Sequence, residues 1–184
     1  ILNETLWNLD WMLTMQDPND GGVYHKLTNK EFDGMVMPEK ALAPRYVVQK
    51  TTTATLDFAA VMAAASRVLK PFDSQQPGRS ARYLAAAEQA WRWAEANPKL
   101  LYEQPADIQT GAYGDKSAED EFAWAAAELL ITTGKSDYRS RAFAHAGDAA
   151  KGTEPGWADV GMLGWISLAQ HAGRLPAGAD APPV

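Results

Sequence analysis

Cysteine is absent from all 184 residues. A disulfide framework, a thiolate metal site and a thiol nucleophile are therefore excluded. Secretion is not excluded, because secreted bacterial enzymes often lack disulfides. Positive charge is also scarce. The 17 Lys and Arg residues are outnumbered by 23 Asp and Glu, giving a formal net charge of −6. That balance lacks the basic footprint that nucleic-acid binding needs. No apolar run approaches the roughly 18 residues of a membrane-spanning helix, so no membrane partner is expected. No signal-peptide pattern is seen either. Ile1 opens directly in a helical pattern without an initiating methionine, as expected of a mature form or a piece of a longer polypeptide.

What the chain does have is apolar and aromatic side chains. Its hydrophobic fraction of 46% suits one domain with a real core. Seven tryptophans and six tyrosines are many for this length. Most fall at helical spacings, which favours core packing. The second reading is a sugar-stacking cleft, because aromatic faces accept the C–H faces of pyranoses.

The chain is organised around 110–134. There a polar loop, Thr110-Gly111-Ala112-Tyr113-Gly114-Asp115, leads into an alanine-rich helix with Glu119, Asp120 and Glu121 at its start. Phe122, Ala125, Ala126, Leu129 and Leu130 share one face, and Gly134 ends the helix. The three acids admit two explanations: they cap the helix or complement its dipole, or they join nearby oxygens in binding a hard cation such as calcium.

Periodicity predicts further helices. Leu2, Leu6, Leu9 and Leu13 mark a first one, buried over a wide face and ended by the turn formers 17–22. Thr51-Thr52-Thr53 supplies capping hydroxyls for 54–69, which is small and apolar nearly all round. Helices are also expected over 80–96, over 138 to about 146 with Ser136 and Asp137 as caps, and over 157–172. The long non-helical segment 22–44 reads as a functional loop in which Val23–Leu27 pairs with Met35–Met37. The tail 176–184 has no pattern. The result is an all-α fold of about six helices, with short turns alternating with long loops gathered on one face.

Six segments in order carry a resemblance: Trp11–Asp17, Gly21–Thr28, Met37-Pro38-Glu39, Thr52–Ala63, Thr110–Asp115 and Asp120–Leu129. Together they resemble the middle of a glycoside hydrolase family 9 catalytic module over 1–173, with 174–184 as an irregular tail. The resemblance implies part of an (α/α)6 barrel and a secreted endo-β-1,4-glucanase that inverts the anomeric carbon. It also implies that the aspartate base, in an Asp-Ala-Gly-Asp motif, precedes Ile1 and that the glutamic acid donor follows Val184. No catalytic residue is then carried here, and the segment alone is expected to be inactive. His145-Ala146-Gly147-Asp148 imitates the base motif out of order and reads as a helix stop.

The remaining expectations follow from the same resemblance. His25, Lys26 and Tyr113 match substrate-side positions for a β-1,4-glucan. Asp120 and Glu121, with Asp159 from Trp157-Ala158-Asp159, match ligands of a structural calcium (Ca2+). Ser117 would complete the shell, although the spacing around it departs from the family's. The competing reading is a non-catalytic helical glucan-binding or scaffold module. An arc of a barrel would also expose apolar faces, to be covered by the rest of the module or by self-association.

Overall fold

The computed structural model describes residues 1–144 and 154–175. Six α-helices dominate them: α1 (Leu2–Thr14), α2 (Thr52–Leu69), α3 (Arg79–Ala96), α4 (Glu119–Thr133), α5 (Arg139–Ala142) and α6 (Gly161–Gln170). One two-stranded antiparallel ribbon joins β1 (Leu27–Thr28) to β2 (Tyr46–Val47).

The apolar patterns explain the packing. Helix α2 has small or apolar residues on every side, so it can pack against α3 on one flank and α4 on the other. Helix α4 in turn packs against α5 and α6. Leu56, Phe58, Met62, Tyr83, Phe122, Leu129 and Leu130 fill the shared core. Trp91 lies edge-on to both Phe122 and Tyr138, with centroids 5.6 and 5.4 Å away. Close approach needs a small residue where α6 crosses α4. A Cβ on Gly164 would lie 3.1 Å from the Cα of Trp124.

One polar network crosses this core. Arg67 of α2 meets Glu128 of α4 at 2.7 Å and donates to Thr132 Oγ1 at 2.6 Å. Ser167 of α6 donates to the other oxygen of Glu128. Three helices thus share one buried carboxylate. Glu128→Ala is expected to lower stability by about 2–4 kcal/mol, because it leaves Arg67 without its counter-charge. Urea denaturation should show a lower midpoint with an unchanged slope.

Several boundaries differ from the periodicity. Residues 157–160 are not helical. They form a turn closed by the Gly156–Asp159 bridge and held where Val160 N–H donates to Asp120 Oδ2 at 2.8 Å. Helix α6 therefore starts only at Gly161. Met35–Met37 is exposed and does not pair with 23–27. The partner of Leu27–Thr28 is Tyr46–Val47. Gly34, at φ 71°, and a 3-10 turn at Pro38–Lys40 bend the methionine stretch away. Neither Ser136 nor Asp137 caps α5, which follows a 3-10 turn. The expected continuation to Ala146, the His145–Asp148 segment and the tail 176–184 lie outside the described residues. On α1 only Leu6 and Leu9 are buried, while Trp7 is 79% exposed.

The long connections do gather on one side. Residues 15–51, 97–118 and 154–160 meet there through side-chain and backbone bonds, described next.

Candidate functional site

The Thr51 hydroxyl accepts from Ala54 N–H at 3.3 Å, which makes Thr51 the N-cap of α2. The same oxygen lies 3.0 Å from His25 Nδ1. His25 Nε2 lies 3.3 Å from the carbonyl of Ala112, which can only accept. The partners therefore assign the proton to Nε2, and Nδ1 accepts from Thr51. Burial lowers the His25 pKa, against the raising effect of the Ala112 and Tyr113 backbone, so the neutral ring is favoured.

Lys26 donates to Gln104 Oε1 at 3.2 Å, to Thr110 Oγ1 at 3.3 Å and to the carbonyl of Gly111. These three acceptors account for the three protons of the ammonium. Burial holds its pKa below the ordinary value. Lys26 thus braces the 104–111 loop while lining the cavity.

Tyr113 is the one non-glycine residue with positive φ among the described residues, at 53°. Such a conformation costs on the order of 1 kcal/mol. It folds the ring back over Gly111, where any Cβ would lie 2.6 Å from Tyr113 Cζ. The ring is 53% exposed and meets Trp157 edge-on at 5.3 Å. Trp157 is itself 89% exposed.

These residues surround a cavity of about 380 Å³ lined by His25, Lys26, Thr53, Ala54, Asp57, Tyr113, Asp115, Glu121 and Trp157. A second cavity, of about 330 Å³, shares His25, Lys26, Ala54 and Asp57 and reaches Trp11 and Met15 of α1. Aromatic rings form the rim and carboxyls the floor. Asp57 Oδ1, Asp115 Oδ2 and Glu121 Oε2 are buried without a hydrogen-bond partner. Burial, then the charges of Asp120 and Asp115, raise Asp57 to about 7. Burial, then Asp120 and Asp57, push Glu121 up to about 9.

The acids at the start of α4 do not cap it. Ala118 is the N-cap, with no side-chain bond. Glu121 is 3% exposed, and Asp120 reaches across to Val160 N–H. Asp120 and Asp159 flank Gly161: a Cβ there would lie 3.4 Å from Asp120 Cβ and 3.7 Å from Asp159 Oδ1. Ser117 spends its hydroxyl on Glu119 N–H at 3.3 Å. Asp120, Glu121 and Asp159 are the oxygen donors a hard cation requires, and the unpartnered Glu121 oxygen suits one. As the side chains stand, no three His, Cys, Asp or Glu residues converge on one point among the described residues.

The structure thus brings His25, Lys26 and Tyr113 onto one cavity and puts Asp120 beside Asp159. The sequence pattern did not single out Asp57, Asp115 or Trp157 as cavity residues. Asp57 had one available signal: it is an acid in a helix otherwise small and apolar on that face. Trp157 had none, since its period continued smoothly into α6.

Comparison with known proteins follows the same outline. The family model Glycosyl hydrolase family 9 matches residues 1–179. The xyloglucan-specific endo-beta-1,4-glucanase BoGH9A of Bacteroides ovatus is 50% identical over 183 residues, covering 95% of this chain and 31% of that protein. Endoglucanase D of Acetivibrio thermocellus is 33% identical over 181 residues, covering 96% of this chain and 28% of its own length. Among solved structures, a Bacteroides ovatus GH9 protein superposes with a TM-score of 0.86 at 49% identity, over 97% of this chain and 34% of the other. A structure of AaCel9A in complex with cellobiose-like isofagomine gives 0.77 at 35% identity, over 93% and 32%. The chain therefore spans about a third of the length of the relatives it matches.

Proposed function

The chain belongs to glycosyl hydrolase family 9, its helices being part of that family's (α/α)6 barrel, and we propose that it forms one wall of the glucan cleft of an endo-β-1,4-glucanase. The observation that carries this reading is the cavity of about 380 Å³ rimmed by Tyr113 and Trp157 with His25 beside them. Exposed aromatic faces suit the apolar faces of pyranose rings, and the His25 Nε2–H suits a hydroxyl. The 50% identity to a xyloglucan-specific enzyme makes xyloglucan the first β-1,4-glucan to test. A polymeric substrate of this size cannot enter a cell, which supports a secreted enzyme.

Hydrolysis with inversion needs an ionised carboxylate to activate water and a protonated carboxyl to supply the leaving oxygen. Asp57 and Glu121 are a poor pair for this. Burial pushes Glu121 up to about 9 and Asp57 to about 7, so neither of these two is a strong general base at acidic to neutral pH. The base and the acid of the reaction are then supplied by the remainder of a complete module. The exposed side of α1, with Trp7 and Trp11, would pack against that remainder or against a second copy. Asp120, Glu121 and Asp159, with an oxygen near Ser117, would hold a structural calcium after side-chain rotation. That ion would tie the start of α4 to the 154–160 turn.

Replacing the matching third of the Bacteroides ovatus enzyme with residues 1–184 should give a protein that releases reducing ends from xyloglucan or carboxymethylcellulose. The 184-residue chain alone should release none above a blank. Hydrolysis by the chain alone would transfer the chemistry to Asp57 and Glu121. A folded but inactive chimera that still binds the glucan would favour a non-catalytic binding module.

A further inference from the structure

Two residues that do not line the cavity hold two that do, His25 and Lys26. Tyr102 is buried, and its ring lies flat against the His25 imidazole, with centroids 4.1 Å apart and planes 8° from parallel. Its hydroxyl donates to Gln104 Oε1 at 2.6 Å, the oxygen that also accepts from Lys26. The Gln104 amide nitrogen donates to the carbonyls of Ile108 and Thr110, at 2.8 and 2.6 Å. Gln104 therefore spends both ends of its side chain on this loop. The Lys26 ammonium stands 5.4 Å from the Tyr102 ring centroid.

We propose that Tyr102 and Gln104 are positioning residues for the glucan-facing wall: Tyr102 fixes the plane of His25, and Gln104 latches Lys26 and the 108–111 loop that supports Tyr113. The inference rests on the glucan-binding reading given above. Physically it follows from what each group lacks. The His25 ring is held at its edges by Thr51 and Ala112 only. Those two bonds contact only the ring edge, and the stacked phenol packs one face and resists displacement of the ring out of its plane. Neither Tyr102 nor Gln104 has an atom in the cavity lining, so each acts through its neighbour. The chain segment 101–108 thereby becomes part of the site although it touches no substrate.

The test is an NMR pH titration of the His25 ring in the 184-residue chain, together with a cellohexaose titration, for wild type, Tyr102→Phe, Tyr102→Ala and Gln104→Leu. His25 is one of three histidines, so its ring signals are readily assigned by His25→Gln. Tyr102→Phe keeps the ring and should retain the wild-type His25 titration. Tyr102→Ala opens one face of the imidazole to water, so the His25 midpoint should rise toward its ordinary value, and cellohexaose affinity should fall three- to tenfold. Gln104→Leu should leave the His25 midpoint in place and still weaken cellohexaose. A His25 midpoint that is the same in Tyr102→Ala and wild type would overturn the role of Tyr102. Undiminished affinity in Gln104→Leu would overturn the latch. If Tyr102→Ala does not fold, Tyr102→Leu, which fills part of the space without stacking, is read by sugar affinity: a three- to tenfold loss is expected, and undiminished affinity would overturn the role of Tyr102. If wild type itself fails to bind cellohexaose, the glucan reading fails while the histidine titration still decides the stacking.

Discussion

Calcium added to the metal-stripped chain is expected to raise its melting temperature by about 5–10 °C, and the increment should grow as pH rises from 5.5 to 8. The size comes from linkage. A ligand at a hundred times its dissociation constant contributes about 2.7 kcal/mol. For a chain of this length each kcal/mol is worth roughly 2–4 °C. The pH dependence comes from Glu121. Its carboxyl is raised from an ordinary value of 4.5 to about 9, mainly by burial and then by Asp120 and Asp57. Between those values the folded chain keeps a proton that the unfolded chain has released. Stability from this group is therefore complete below about 4.5 and is lost as pH rises toward 9. A calcium ion takes the proton's place, so it binds better and stabilises more as the proton becomes easier to remove. Glu121→Gln separates the two effects. Without metal it should be more stable than wild type at pH 8, because glutamine is neutral without a proton, whereas the wild-type carboxyl must keep one that the unfolded chain has released. It should also lose the calcium response. Differential scanning calorimetry at three pH values, with and without calcium, reads both. Equal melting temperatures with and without calcium, in wild type at pH 8, would remove the proposed ion.

Tyr113→Gly is expected to make the chain more stable and a poorer glucan binder. The positive φ of 53° is strained for tyrosine and relaxed for glycine. Relief of that strain should add about 1 kcal/mol to the unfolding free energy. The ring is more than half exposed, so little core packing is lost with it. Removing it strips one face from the cavity and its edge contact with Trp157. Affinity for cellohexaose should fall about tenfold, equivalent to about 1.4 kcal/mol. A loop whose tyrosine served only as an anchor would give the opposite stability change. Urea unfolding and calorimetric titration of the same protein samples therefore distinguish a binding residue from an anchor.

The helices were legible because their causes are local. The repeat of Leu2, Leu6, Leu9 and Leu13, the Thr51 cap and the Gly134 stop are read within one or two turns of chain, and the structure has all three. The pairing of Leu27–Thr28 was not legible. Met35–Met37 and Tyr46–Val47 are both short and apolar, and only the anchoring of 48–51 beside His25 and Lys26 selects the second. The turn at 157–160 escaped for a related reason. Besides its local Gly156–Asp159 bridge it is held by a bond from Val160 to Asp120, 40 residues away, and nothing in the local period announces it. The site divides in the same way. His25, Lys26 and Tyr113 stood out through the family motifs, and they do share one cavity. What Lys26 does there was hidden, because its three acceptors come from 104–111. Asp57 and Glu121 were visible as letters, but the one unpartnered oxygen that each buries exists only in three dimensions.

Binding of a β-1,4-glucan at the rim made by His25, Tyr113 and Trp157 is the proposal on which the rest depends. It is tested most directly by titrating cellohexaose into the 184-residue chain while following the Trp157 indole N–H and the His25 ring by NMR. Saturable shifts of both signals, with the buried Trp91 indole unmoved, are the predicted result. A contradictory result would be signals of Trp157 and His25 that stay in place at millimolar sugar while the chain remains folded.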